Sequence, residues 1–171
     1  MLGLGRKAEA EALWRELLAS EVRDSTGVLG QAGYNLGKLL ALEGRPTEAL
    51  PITQQAIDLL RRFRAESDPM LLRTRALLAW LSVQTGDVAA GDAAMATVLQ
   101  AVRESTLLQA VRESTLKLDD WGDVYAFAAR LEDARGQPGQ AAQYRAEAER
   151  RWRAALDPDN PRLAALLDSL Q

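Results

Sequence analysis

The chain has 171 residues, a hydrophobic fraction of 47% and a formal charge of −3, which suits one compact domain or one short solenoid segment. That acidic balance lacks the basic footprint of a nucleic-acid binder, and no apolar run approaches the roughly 18 residues needed to cross a bilayer. With no histidine and no cysteine, the sequence excludes histidine triads, His-bound zinc, disulfides and thiol chemistry.

The opening Met1-Leu2-Gly3-Leu4-Gly5 is too short and too glycine-rich for a signal-peptide core, so a cytoplasmic, membrane-free protein is expected. A first helix is predicted over about 6–21, introduced by the box Gly5-Arg6-Lys7-Ala8-Glu9-Ala10. The same box returns at Gly44-Arg45-Pro46-Thr47-Glu48-Ala49, Gly86-Asp87-Val88-Ala89-Ala90-Gly91 and Gly136-Gln137-Pro138-Gly139-Gln140-Ala141. Each has a glycine and, five places on, a small residue. Glycine closes a helix by taking the left-handed conformation, and proline just beyond suits the first turn of the next. Asp87 serves that second purpose as an N-cap. Helices are therefore predicted over about 27–43, 46–64, 69–85, 87–104, 119–135, 138–156 and 161–169, eight in all.

Both flanks of the box repeat. Leu39, Leu81 and Leu131 stand five residues before the glycine, and the small residues Gly37, Ala79 and Ala129 stand seven before. Leu36, Leu78 and Ala128 stand eight before. On the far side, Leu13, Ile52, Ala94 and Tyr144 lie eight residues after, and Leu17, Ala56, Val98 and Ala148 lie twelve after. Both sets are expected to face the core. Asp68-Pro69 and Asn160-Pro161 each put a capping residue before a proline at a helix start. The unit is thus helix A, glycine turn, helix B, capped turn.

Tyr34-Asn35-Leu36-Gly37-Lys38-Leu39-Leu40, followed by Gly44-Arg45, Glu48-Ala49-Leu50 and Ala56, resembles a tetratricopeptide repeat (TPR). The long unit and the ending Leu156-Asp157-Pro158-Asp159-Asn160-Pro161 look like the extended, kinesin-light-chain-like branch of about 42 residues. The units around Gly86 and Gly136 depart further from the pattern, with Gly91 in place of alanine. The resemblance implies an all-α, right-handed superhelical α-solenoid of antiparallel helix pairs. Its expected organisation is a lone helix B over 6–26, repeats over 27–68 and 69–107, a connection over 108–118, a third repeat over 119–160 and a terminal helix over 161–171.

One interval breaks the rhythm. Box glycines lie 39, 42 and 50 residues apart, and the long interval holds Leu99-Gln100-Ala101-Val102-Arg103-Glu104-Ser105-Thr106-Leu107 followed by an identical copy, Leu108 to Leu116. Without one copy the interval is 41. Nine residues at about 100° each shift a continuing helix by half a turn, so the two copies cannot bury the same stripe. A longer loop, a projecting helix and self-association through Leu99–Leu116 are the three expected outcomes. Such perfect identity marks a recent or engineered duplication.

Without histidine, carboxylates are the residues able to do acid–base work. Asp119-Asp120 before Trp121 reads as a capped helix start. Glu9, Glu11 and Glu16 read as solvated helix charge, and Arg145–Arg153 reads as a charged helix-B face. Gly3 and Gly5 make no phosphate loop, because no glycine–lysine–serine/threonine follows. Neither a cofactor nor a metal is implied, and no enzyme is expected. By the TPR resemblance, a concave helix-A surface binds a protein or peptide partner. Gln31, Tyr34, Asn35 and Lys38 from repeat 1, Arg73 and Trp80 from repeat 2, and Arg130 from repeat 3 are its candidates. For Trp80 a core position is an equal alternative. The mixture suggests a partner of some acidic character. A regulatory tail cut from a larger bacterial signalling protein is the alternative function, and a model scaffold carrying the duplication is another.

Overall fold

The computed structural model describes residues 2–20, 27–111 and 121–170; for 2–5 and 106–111 it describes the helical backbone alone. Among the described residues there are eight helices and no strand: α1 (Leu2–Ala19), α2 (Val28–Leu42), α3 (Pro46–Leu60), α4 (Pro69–Gln84), α5 (Val88–Val111), α6 (Gly122–Ala134), α7 (Pro138–Ala155) and α8 (Pro161–Asp168). None of these helices is long and apolar enough to cross a membrane.

Three of the four box glycines do what the sequence predicts. Gly44, Gly86 and Gly136 have φ of 74°, 102° and 71°, closing α2, α4 and α6. Around each, the same pair of bonds ties off the helix. Arg45 N–H donates to Leu40 O at 2.9 Å and Gly44 N–H to Ala41 O at 3.2 Å, with the counterparts Asp87 to Ser82 and Gln137 to Glu132 at 2.8 Å. Gly5 differs: α1 already begins at Leu2, so Gly5 lies inside a helix rather than at a turn. The capped starts also form. Asp68 accepts from Met70 N–H at 2.9 Å, Asn160 from Arg162 N–H at 2.9 Å, and Asp87 from Ala90 N–H at 3.2 Å.

These turns fold the chain into adjacent pairs, α2 on α3, α4 on α5 and α6 on α7. In the first pair, Gly30 meets Leu60, Gly33 meets Ala56 and Gly37 meets Thr53, an antiparallel register set by glycines. A Cβ at Gly30 would come within 2.6 Å of the Leu60 side chain, so this face must be bare. Gly91 has the same role in the second pair, because a Cβ there would lie 2.6 Å from Ala79 O. Its departure from the repeat pattern is a response to closer packing.

One apolar cluster runs from α2 through α4 and α5 to α6, including Leu36, Leu40, Leu77, Leu81, Val98, Phe127 and Leu131. A second joins α6, α7 and α8 through Ala126, Ala148, Trp152, Leu163 and Leu166. Fully burying one such leucine or phenylalanine contributes about 1.5–3 kcal/mol. Exposed ion pairs such as Arg150–Glu147 and Arg153–Glu149 on α7 are worth about 0–1 kcal/mol each. The apolar clusters therefore hold the stack, and the α7 basic stretch is largely paired within its own helix.

Of the residues eight after the box glycine, Ile52 and Tyr144 pack half-buried against this core, but Leu13 is 64% exposed and Ala94 is exposed, whereas Ala56, Val98 and Ala148, twelve after, are buried. The buried face of helix B is centred on places five, nine and twelve, as Ala49, Thr53 and Ala56 illustrate. Place eight is rotated by roughly 60° from the middle of that face.

Candidate functional site

Along α2, Gln31, Tyr34, Asn35 and Lys38 follow the spacing that puts side chains on one helical face. All four line a hollow of about 580 Å³. Met70 and Arg73 of α4 and Asp123 of α6 continue the wall, Trp14 of α1 flanks it, and Arg162 and Leu166 of α8 bound the other side. Five of the seven residues singled out from the sequence thus converge. Gln31 is exposed, Asn35 and Lys38 are half-buried, and Tyr34 and Arg73 are buried in the wall.

The chemical centre is Asp123, which sequence reasoning missed. It sits in the first turn of α6, 2% exposed, within an otherwise apolar stretch. Its Oδ2 accepts a 2.5 Å hydrogen bond from the Tyr34 hydroxyl and a 2.9 Å bond from Lys38 Nζ. Both partners lie on α2, so a side-chain bridge spans from the first helix pair to the third. Burial by itself pushes the Asp123 carboxyl up. The Lys38 charge, the bonds from Tyr34 and Lys38 and the Arg73 charge outweigh it and hold the group below the ordinary carboxylate range. A signal for this residue was present in the repeat: Gln31, Arg73 and Asp123 each stand thirteen places before their box glycine. One polar column thus crosses α2, α4 and α6.

Trp80 and Arg130 lie elsewhere. The Trp80 ring is 3% exposed in the core, stacked on Phe127 with centroids 5.8 Å apart. Arg130 sits over the same ring at 5.3 Å and donates to Ser169 O beyond α8. Burial, then the neighbouring Arg145 charge, lowers its pKa. Asp119-Asp120 lie outside the described residues.

A larger hollow of about 710 Å³ opens between α3, α4 and α5, with Ile57, Leu72, Leu78, Val98 and Ala101 in its lining. Its rim charges neutralise one another: Glu66 pairs with Arg75 and lies 3.7 Å from Arg61. Its lining also carries an amide and three hydroxyls and sets two arginines against two glutamates, whereas the α2–α4–α6 hollow combines two amides, three cations, a phenol and one carboxylate. Compared with known family models and with curated proteins, the chain matches none.

Proposed function

We propose that the chain is a TPR-like right-handed α-solenoid that binds a peptide or partner protein along its concave helix-A face, and that it performs recognition rather than catalysis. The observation that carries this reading is the convergence of Gln31, Tyr34, Asn35, Lys38 and Arg73 on one hollow bordered by Trp14, Leu42, Met70 and Leu166. Amide side chains can pair with an extended peptide's backbone, and aromatic and arginine side chains anchor interfaces. The carboxylate in the hollow supports recognition over catalysis, because Tyr34 and Lys38 already hold it.

A phage-displayed peptide library panned over the full chain tests the reading. Enriched peptides are expected to lose at least about tenfold in affinity when Gln31 and Asn35 are both changed to alanine, with an unchanged melting temperature. Enriched peptides indifferent to that double substitution would remove the hollow as the binding site.

A further inference from the structure

We propose that α1 is a detachable wall of the hollow, clasped to the stack by Arg45 rather than anchored by burial, and that a bound peptide segment closes it; this rests on the peptide-binding reading above. None of the described side chains of α1 is buried. Even α8, eight residues long, buries Leu163 and Leu166. Among the described helices α1 packs on α2 alone. Its apolar hold on the main cluster is Trp14 and Leu18, both half-buried, while Leu13 is 64% exposed. Partial burial of two side chains contributes less than the fully buried sets that hold the other helices.

The rest of the hold is a clasp of charge. Arg45, in the turn between α2 and α3, forks onto the Glu11 carboxylate with two bonds of 3.0 Å and onto Glu48 with two of 2.8 Å. Arg15 adds a 2.8 Å bond to the same Glu11. Bidentate pairs shared in a network exceed the small value of an isolated surface pair. Every charge in the clasp is partnered, so no ligand is needed to complete it. Its groups stay in reach of water and salt, so its strength falls as ionic strength rises. Arg45 lies outside the hollow, but the helix it holds supplies Trp14, beside Leu39 and Leu42 of α2. Releasing α1 strips that wall away. An 18-residue helix carrying Gly3 and Gly5 is marginal in water by itself, so a released α1 unfolds and its amides exchange. A segment that touches Trp14 binds the closed form better and shifts the equilibrium toward it.

Amide hydrogen–deuterium exchange on the full chain, resolved by residue, tests this. In the free chain the α1 amides are expected to exchange at least about a hundredfold faster than those of α4, after correction for intrinsic rates. Arg45→Gln and Glu11→Gln are each expected to speed α1 exchange about fivefold and leave α4 unchanged. Arg45→Gln keeps the turn, because the backbone N–H of residue 45 still bonds Leu40 O. Molar salt is expected to speed α1 exchange in the parent chain and not in Glu11→Gln. A panned peptide at about ten times its Kd is expected to slow α1 exchange about tenfold. Amides in α1 as slow as those in α4, or unmoved by both substitutions, overturn the clasp. A peptide that protects α2 around Gln31 and Asn35 but leaves α1 unchanged overturns the wall, while the peptide-binding reading stands. Fast, Arg45-dependent exchange in α1 with peptides indifferent to the Gln31 and Asn35 double substitution keeps the clasp, but removes the peptide-binding reading and closure by peptide with it.

Discussion

The two junctions between successive helix pairs differ. Between α3 and α4 the chain turns through 61–68, is capped by Asp68-Pro69, and packs the two helices along each other with Ile57, Leu60 and Leu71 between them. Between α5 and α6 lies the duplicated nonapeptide. There α5 runs for 24 residues, against 15 for α3 and 18 for α7, and reaches Val111 in the second copy. The helix runs past the expected 87–104 into the second copy, and residues 112–120, where one of the expected loops falls, lie outside the described residues. Here α6 packs more extensively on α4 than on α5. The Trp80–Phe127 stack and the Asp123 bridge to Tyr34 and Lys38 join helix-A elements directly. An insertion in the helix-B layer is thus tolerated because the helix-A layer carries continuity from pair to pair.

Breaking the anchor of the second junction has the largest expected effect. Trp121 is 1% exposed at the start of α6, and Trp121→Ala should cost about 3–5 kcal/mol in denaturant unfolding. Asp123→Asn comes next, at about 1–3 kcal/mol. The bridge also gives a signed pH dependence. A carboxyl held below its ordinary range contributes fully above that range, and its contribution is lost as pH falls through the lower folded value. Melting temperatures measured down the acid limb should therefore fall less steeply in Asp123→Asn than in the parent chain.

Smaller effects sharpen the comparison. Gly44→Ala, Gly86→Ala and Gly136→Ala should each cost about 1 kcal/mol, because each forces a Cβ into a left-handed turn with nothing within 4 Å to resist it sterically. Near-equal losses would mark three equivalent turns on either side of the duplication. Removing residues 108–116 should change stability least, by less than about 1 kcal/mol, since added length in a connection carries a small entropic cost. A large loss on that deletion would mean that the second copy has become part of the core.

Much of the fold was legible because a helix-pair repeat writes its turns in local chemistry. A glycine at positive φ, a proline at a helix start and an Asp or Asn cap each act within about one turn, so Gly44, Gly86, Gly136, Asp68 and Asn160 could be assigned from neighbours alone. Gly5 shared the box but not the turn, because nothing in the box fixes what precedes it. Facing was less legible. Leu13 and Ala94 repeat as faithfully as Ala56 and Val98, yet they sit at the edge of the buried arc. Trp80 shares its place, six before the box glycine, with Lys38 and Arg130, and its ring is drawn into the core by Phe127 of the next helix A. Asp123 was hidden for a related reason. Its partners lie two helix pairs away, and its own neighbours, Val124, Ala126 and Phe127, spell an apolar core helix.

Backbone amide chemical shifts, recorded while a panned peptide is titrated into the full chain, test the central claim most directly. The account predicts that the perturbed residues cluster at Gln31, Asn35, Lys38, Arg73 and Arg162, around the 580 Å³ hollow. Perturbations centred instead on Ile57, Leu78 and Ala101, in the larger hollow between α3, α4 and α5, would contradict it.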